Sequence, residues 1–312
     1  MKKIAKLVFT FGLLLILTGV ILLRKDSITT LFNTHFSSNN TKINITDVNK
    51  YYRNYDFKFV QNIKDEVPSN KQDLLNVYYT VINSGKDSYT FYCPKNEYDS
   101  CLNDVESIAN DQTLLSNINN YVHPYNQFSH IETEFDNLGK VTINIERAYT
   151  SEDIKKINKK VDEIYNELYN DNISIEDNIK LFHDYIVNNT KYDSLRSDNN
   201  IINYRSDIAY GPLFEGYAIC GGYTDLMQLF LEKMGLKSFR VSSYMHIWNA
   251  VKINDKWYHI DLTWDDPVMS DGSTNLLHDY MLIDTNRLLE LEKSQHKFDQ
   301  DVFIEVKEKE AN

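Results

Sequence analysis

His246-Ile-Trp-Asn-Ala-Val-Lys-Ile253-Asn254-Asp255-Lys256-Trp-Tyr-His-Ile-Asp261-Leu-Thr263 reads as a β-hairpin. Two alternating runs, His246–Ile253 and Lys256–Thr263, flank Asn254-Asp255, a pair suited to a tight two-residue turn. That loop places Trp248 opposite Asp261 and His246 opposite Thr263. Opposed residues share a face of the sheet. One face then carries Ile247, Asn249, Val251, Ile253, Tyr258, Ile260 and Leu262, and is a core face. The other carries His246, Trp248, Ala250, Lys252, Trp257, His259, Asp261 and Thr263, and is expected to lie off the core. There His246 and Asp261 are diagonal neighbours, ~7–8 Å apart at Cα, so an imidazole–carboxylate hydrogen bond can close the gap. A loop of two or four residues preserves this parity and a loop of three breaks it.

Upstream, Tyr210-Gly-Pro-Leu-Phe-Glu-Gly-Tyr-Ala-Ile-Cys220-Gly-Gly-Tyr223 sets one cysteine among glycines 211, 216, 221 and 222. A helical spacing begins directly after it with Leu226, Leu229, Phe230, Leu231 and Met234, closed by Gly235 at C′. Cys220 therefore sits at a helix start, where the dipole and free N–H groups favour a thiolate and can hold an oxyanion. The plainer alternative is a small cysteine in a buried helix start. A thiol nucleophile needs a His to share its proton and a carboxylate to orient that His. The hairpin supplies both as His246 and Asp261, unless they are polar decoration on a half-exposed strand. His259 is the internal competitor, since His259-Ile-Asp261 is also a metal fragment. No further ligand pair has suitable spacing, so no metal is expected. His183, His278 and His296 read as structural.

The chain has 312 residues, 42% hydrophobic and 13% aromatic, enough for a real core and too aromatic for a disordered chain. Its net charge is −12, and the first 25 residues hold Lys2, Lys3, Lys6, Arg24 and Lys25 without an acid, so the rest is more acidic still. Such a body repels phosphate backbones, which excludes nucleic acid as a partner. Residues 7–23 are uncharged and span ~26 Å as a helix, just enough for a bilayer core. They read as an uncleaved anchor or a cleaved signal peptide, and either places the body outside the cytoplasm.

The expected organisation is 1–25 as membrane anchor or signal, 26–68 as a tether, rich in Ser, Thr and Asn over 26–50 and with aromatic Tyr51–Val60 as its first ordered piece, 69–150 as a small α+β domain and 151–305 as the domain with the chemistry. In 69–150 the spacing predicts a helix over Lys71–Ser84, a strand over Ser88–Cys93, a helix over Ser100–Leu115, and a hairpin of Ile131–Phe135 with Val141–Ile145. Outside the cytoplasm Cys93 and Cys101 form either a disulfide or two half-buried thiols. In 151–305 Thr150 with Asp153, and then Ser174, cap two amphipathic helices.

The order Cys220, His246, Asp261 resembles the transglutaminase-like superfamily, whose fold is similar to that of papain-like cysteine peptidases. The matching pieces are Glu215-Gly-Tyr-Ala-Ile-Cys220-Gly-Gly-Tyr223, His246-Ile-Trp-Asn249 and Trp257-Tyr-His-Ile-Asp261-Leu-Thr-Trp-Asp-Asp-Pro267. The helix His183-Asp-Tyr-Ile-Val-Asn-Asn-Thr-Lys-Tyr-Asp193 resembles the one before the family's cysteine. The residue before the Trp is commonly Ala in the family and is Ile247 here. The likeness covers residues 151–305. The part before it carries no motif, and its arrangement resembles what precedes such domains in some anchored bacterial proteins.

The resemblance implies an α+β fold with the cysteine helix packed on an antiparallel sheet. It implies Cys220 as nucleophile, His246 as base and then acid, and Asp261 as its orienting partner. A glutamine-type carboxamide or peptide carbonyl would give a thioester, then a cross-link with an amine or hydrolysis with water. The implied partner is a protein or cell-wall peptide. A peptidase or amidase using water, or a silent binding module on the cell surface, are the alternative readings. Some animal members use calcium; no calcium-loop pattern occurs here, so no cofactor is expected.

Overall fold

The computed structural model describes residues 42–94, 97–267 and 275–308. The apolar stretch 7–23 and residues 26–41 of the expected tether lie outside them. No helix among the described residues is long and apolar enough to cross a membrane.

The rest of the expected tether is instead packed. Residues 42–68 form no helix, yet Ile43, Ile45, Phe57, Val60 and Ile63 are buried. Side chains of the next helix satisfy their backbone: Arg53 N–H donates to Asn83 Oδ1 at 3.0 Å, and Ile63 N–H to Thr80 Oγ1 at 2.9 Å. A segment held this way needs no regular spacing, so it leaves no period in the sequence.

That helix is α1, Lys71–Ser84, capped by Asn70 and closed by Gly85 in the left-handed region (φ 77°). β1 (Ser88–Tyr92) follows, and a Cys93–Cys101 disulfide ties its end to α2 (Cys101–Ala109). The single helix expected over Ser100–Leu115 is two helices. Asp111 accepts from Leu114 N–H and caps a new helix, α3, Gln112–Asn119. β2 (Phe128–Phe135) and β3 (Lys140–Arg147) make the expected hairpin, with β1 on the other edge of β3.

α4 (Ser151–Leu168) opens with the Thr150–Asp153 capping box, and α5 (Ile175–Asn189) with Ser174. Then come β4 (Lys191–Tyr192), α6 (Ser194–Asn199), a π-helical turn (Gly211–Glu215) and β5 (Tyr217–Ala218). They lead into α7, Cys220–Lys233. β6 (Ser238–Ser242), β7 (Ile247–Ile253), β8 (Lys256–Ile260) and β9 (Met281–Ile283) form one antiparallel sheet in that order. Helices α8 (Thr285–Leu291) and α9 (Lys293–His296) follow it.

The hairpin register is the one expected, with Ile253 opposite Lys256, Val251 opposite Tyr258 and Asn249 opposite Ile260. Asn254 and Asp255 both take positive φ (46° and 64°), which a two-residue turn of the I′ kind requires. Val251, Ile253, Ile260 and Leu262 share a core with Phe182, Leu226 and Phe230, which places α7 on that face.

The opposite face is also buried, contrary to expectation. Trp248 and Ala250 are fully buried and His259 is 1% exposed. Phe239 and Val241 join them, with the Phe239 ring 4.9 Å from that of Tyr121 and Phe57 and Phe303 beside it. Residues 69–150 therefore share a core with β6 and β7. Alternation along a strand tells which side chains share a face; it does not tell which distant segment covers that face.

This burial has a consequence in acid. Trp248 Nε1–H donates to His259 Nδ1 at 2.9 Å, which fixes a neutral ring. Burial, with the nearby charge of His296, pushes the His259 pKa down to about 3, and burial lowers that of His123 well below its usual range. Below pH ~6.5 the unfolded chain takes up protons at both sites and the folded chain does not. Stability is expected to fall from pH 6.5 to 4.5 by up to ~1.4 kcal/mol per pH unit for each His. Urea unfolding across that range checks it; a rise in stability with acidification would contradict neutral burial.

Candidate active site

Cys220 is the first residue of α7, and Ile219 before it is extended. Ile219 N–H donates to Ser206 O at 2.8 Å, which lays residues 206–207 directly against the helix start. A Cβ at Gly222 would lie 2.4 Å from Ser206 O, and one at Gly221 2.6 Å from Asp207 O. The two glycines after the cysteine are thus a packing requirement. Gly222 and Tyr223 N–H donate to Ile219 O at 3.0 and 3.2 Å, while those of Cys220 and Gly221, at the very start of the helix, have no acceptor within it and can receive a developing oxyanion.

His246 stands immediately before β7 and Asp261 immediately after β8, at the same end of the hairpin. His246 Nε2 is 2.5 Å from Asp261 Oδ2. Cys220 lies close enough to the ring to raise its proton affinity. With Nε2 committed to Asp261, Nδ1 is the nitrogen left for sulfur. The three residues expected from the sequence are therefore brought together. His246 and Asp261 are buried while Cys220 is partly exposed, so the line opens to solvent at its cysteine end.

Two hydrogen bonds set the spacing between α7 and β7. Thr224 Oγ1 donates to Ile247 O at 3.0 Å, and Asn249 Nδ2 donates to Thr224 O at 3.0 Å. Each ties the first turn after Cys220 to the strand that starts with the residue after His246.

Burial favours a neutral His246, but the Asp261 charge and hydrogen bond, with the contribution of Cys220, outweigh it and push its pKa to about 10. Burial likewise works to raise the Asp261 carboxyl, yet His246 and His296 hold it well below the usual carboxylate range. Thr263 N–H also donates to Asp261 Oδ1 at 2.9 Å.

His296, expected to be merely structural, is on this site. It ends α9, is fully buried, and places Nε2 2.9 Å from Asp261 Oδ2. No motif surrounds it. Tyr192 was also missed: β4 pairs in parallel with β5 and sets it opposite Ala218, two residues before Cys220. Burial and the nearby charges of Cys220 and Asp261 raise its hydroxyl pKa. Neither of two nearby side-chain donors is free to hold an oxyanion. The Tyr223 hydroxyl donates to Asp266, and the Trp248 indole N–H to His259.

Among the described residues two groups have metal-ligand chemistry, His183–Asp184–His278 and His246–Asp261–His296. In both, the ligand atoms face one another as hydrogen-bond partners. His278 Nε2 is 2.6 Å and His183 Nδ1 3.0 Å from Asp184 Oδ1, and Lys180 holds Oδ2 at 2.5 Å. His259, the other competitor, has Nδ1 on Trp248 and Nε2 on Thr285 Oγ1 at 3.0 Å. The ligand atoms of these groups satisfy one another without an ion.

No protein-family model matches the chain, and no curated protein matches its sequence. Among solved structures it is similar to a TGase, with 16% identity, a TM-score of 0.31 and 44% of each chain covered. It is also similar to a candidate cysteine protease from Cytophaga hutchinsonii, with 14% identity, a TM-score of 0.27, and 43% of this chain and 61% of that one covered. The match spans less than two thirds of either structure. The α+β arrangement, a cysteine-bearing helix start packed on an antiparallel sheet, is defined by the chain's own connectivity.

Thr224→Val and Asn249→Ala each remove one tie between sulfur and imidazole. Each is expected to cost about 1 kcal/mol of stability and to slow alkylation of Cys220 by iodoacetamide. Alkylation at the wild-type rate in both variants would show that the ties do not set the spacing.

Proposed function

We propose that the chain is a membrane-anchored, extracytoplasmic transglutaminase-like enzyme that transfers acyl groups from protein or peptide amides through a thioester on Cys220. The observation that carries this reading is the line Cys220–His246–Asp261, with Cys220 at a helix start and partly exposed. The location rests on the apolar stretch 7–23 and is supported by the Cys93–Cys101 disulfide, a bond that persists in oxidising compartments.

The thiolate of Cys220 attacks the carboxamide carbon, and the oxygen takes the negative charge beside the first-turn N–H groups. His246, charged, gives its proton to the leaving nitrogen as the C–N bond breaks. Ammonia or an amine departs and the acyl group remains as a thioester. His246, now neutral, takes a proton from the incoming amine or water, and the C–S bond breaks to regenerate the thiolate. Asp261 keeps the ring oriented and its cation stable throughout. An amine acceptor yields a cross-link; water yields hydrolysis.

The test is incorporation of a labelled primary amine into a glutamine-containing protein, with release of free acid followed in parallel. Cys220→Ala is expected to abolish both products and His246→Ala to lower them ~10²–10⁴-fold. Equal activity in Cys220→Ala would remove this reading. Acid product alone, even with amine in excess, would assign the chain as a hydrolase. The acylation rate is expected to fall as pH rises through about 10, where His246 gives up the proton that the leaving group needs.

A further inference from the structure

The His296 ring has an acceptor at each nitrogen. Nδ1 lies 2.9 Å from the backbone oxygen of Glu292, and Nε2 lies 2.9 Å from Asp261 Oδ2. A carbonyl oxygen and an ionised carboxylate only accept, so both ring nitrogens must carry hydrogen to satisfy them. The surroundings suit such a ring. Tyr280 stacks on it with centroids 5.4 Å apart, and Trp248 and Trp264 lie at 4.9 and 5.7 Å. Electron-rich aromatic faces around a buried cation offset part of its lost hydration. The oxygen that holds Nε2 is the one that holds His246, whose ring centroid is 5.4 Å away.

We propose that His296 is a positioning residue of the Cys220–His246–Asp261 line: a fully buried imidazolium that locks the Asp261 carboxylate and divides its charge with His246. This rests on the thiol reading of the site. Two cations, His246 and His296, then balance two anions, Asp261 and the Cys220 thiolate. The other titratable groups around the ring are His259 on β8, Tyr280 before β9, and Glu292 before α9. His259 is held neutral and Tyr280 is raised by burial, while Glu292 caps α9 at the surface. Because His296 draws on the same oxygen, it keeps the His246 proton from being held too tightly to reach a leaving group.

Iodoacetamide tests this without a known substrate, because Cys220 is the free cysteine and Cys93 and Cys101 are joined. Alkylation of the full chain is followed by intact mass from pH 4 to 11 in wild type, His296→Gln and His296→Phe. Removing a cation raises the proton affinity of its neighbours. Both inflections of the rate profile are expected to move upward by at least about half a pH unit in each variant. A packing role alone would lower stability or rate and leave the inflections in place, and that result would overturn the proposal. If the variants fail to fold, nitrogen NMR of histidine-labelled wild type at neutral pH decides it. Hydrogen on both His296 nitrogens is expected, and a neutral ring would overturn the proposal. A wild-type Cys220 with no pH-dependent reactivity would instead remove the thiol reading, while the NMR result would still judge the His296 ring.

Discussion

The Asp261 carboxylate is the point on which the site hangs. It is 1% exposed, and an ionised carboxylate taken that far from water is unstable by several kcal/mol unless donors surround it. Four do: the imidazoles of His246 and His296 and the backbone N–H groups of Thr263 and Trp264. The backbone pair fixes where the carboxylate sits, and the two rings fix its direction. All of this depends on hairpin register. A slip by one residue would turn every side chain of β7 to the opposite face and carry His246 away from Asp261. The two positive-φ residues of the turn, Asn254 and Asp255, guard against that slip.

The first part of the chain enters the same argument from the other side of the sheet. Phe57 and Tyr121 pack on Phe239, and Phe239 shares its core with Trp248 and Ala250. Trp248 in turn touches the rings of His246, His259 and His296. Residues 42–150 thus help to exclude water from the face on which the dyad lies. In a dry site a carboxylate works on an imidazole through a lower effective dielectric, so its influence is larger than on an open strand. A second link comes from the helix side. Asp225 on α7 accepts from Gln127 at 2.7 Å and from the Tyr149 hydroxyl at 2.5 Å, both outside the expected catalytic part. The helix that carries Cys220 is anchored to the segment that looked like a separate domain.

Much of this was legible in sequence because it is local. The hairpin register, the face shared by His246 and Asp261, the Thr150–Asp153 cap and the helix start at Cys220 all follow from spacing and turn chemistry within a few residues. The parts that were not legible depend on distant closure. His296 is 35 residues from Asp261 and ends a four-residue helix, so no periodic pattern marks it. Residues 42–68 are held by side chains of α1, and an irregular segment of that kind looks like a tether. The break at Asp111 was readable in principle, since Asp is a common helix cap; the apolar spacing across it was continuous enough to mask it. Trp248 and Trp257 on the supposedly open face were the missed signal that something covers it.

The links in the site are unequal, and this fixes where it gives way. His246 and Asp261, 15 positions apart in the chain, are joined by a short charged hydrogen bond across one hairpin. The helix that carries Cys220 is tied to the hairpin by packing and by two neutral hydrogen bonds, from Thr224 to Ile247 and from Asn249 to Thr224. Charged hydrogen bonds contribute about twice what neutral ones do. Local loosening should therefore separate the sulfur from the ring before it separates the ring from the carboxylate. The chemistry needs the first contact as much as the second. Thiol reactivity should accordingly fail at lower denaturant than the near-ultraviolet signal of Trp248 and Trp264, whose rings lie against His296 on the carboxylate side. Coincident loss of both would mean that α7 and the hairpin open as one unit.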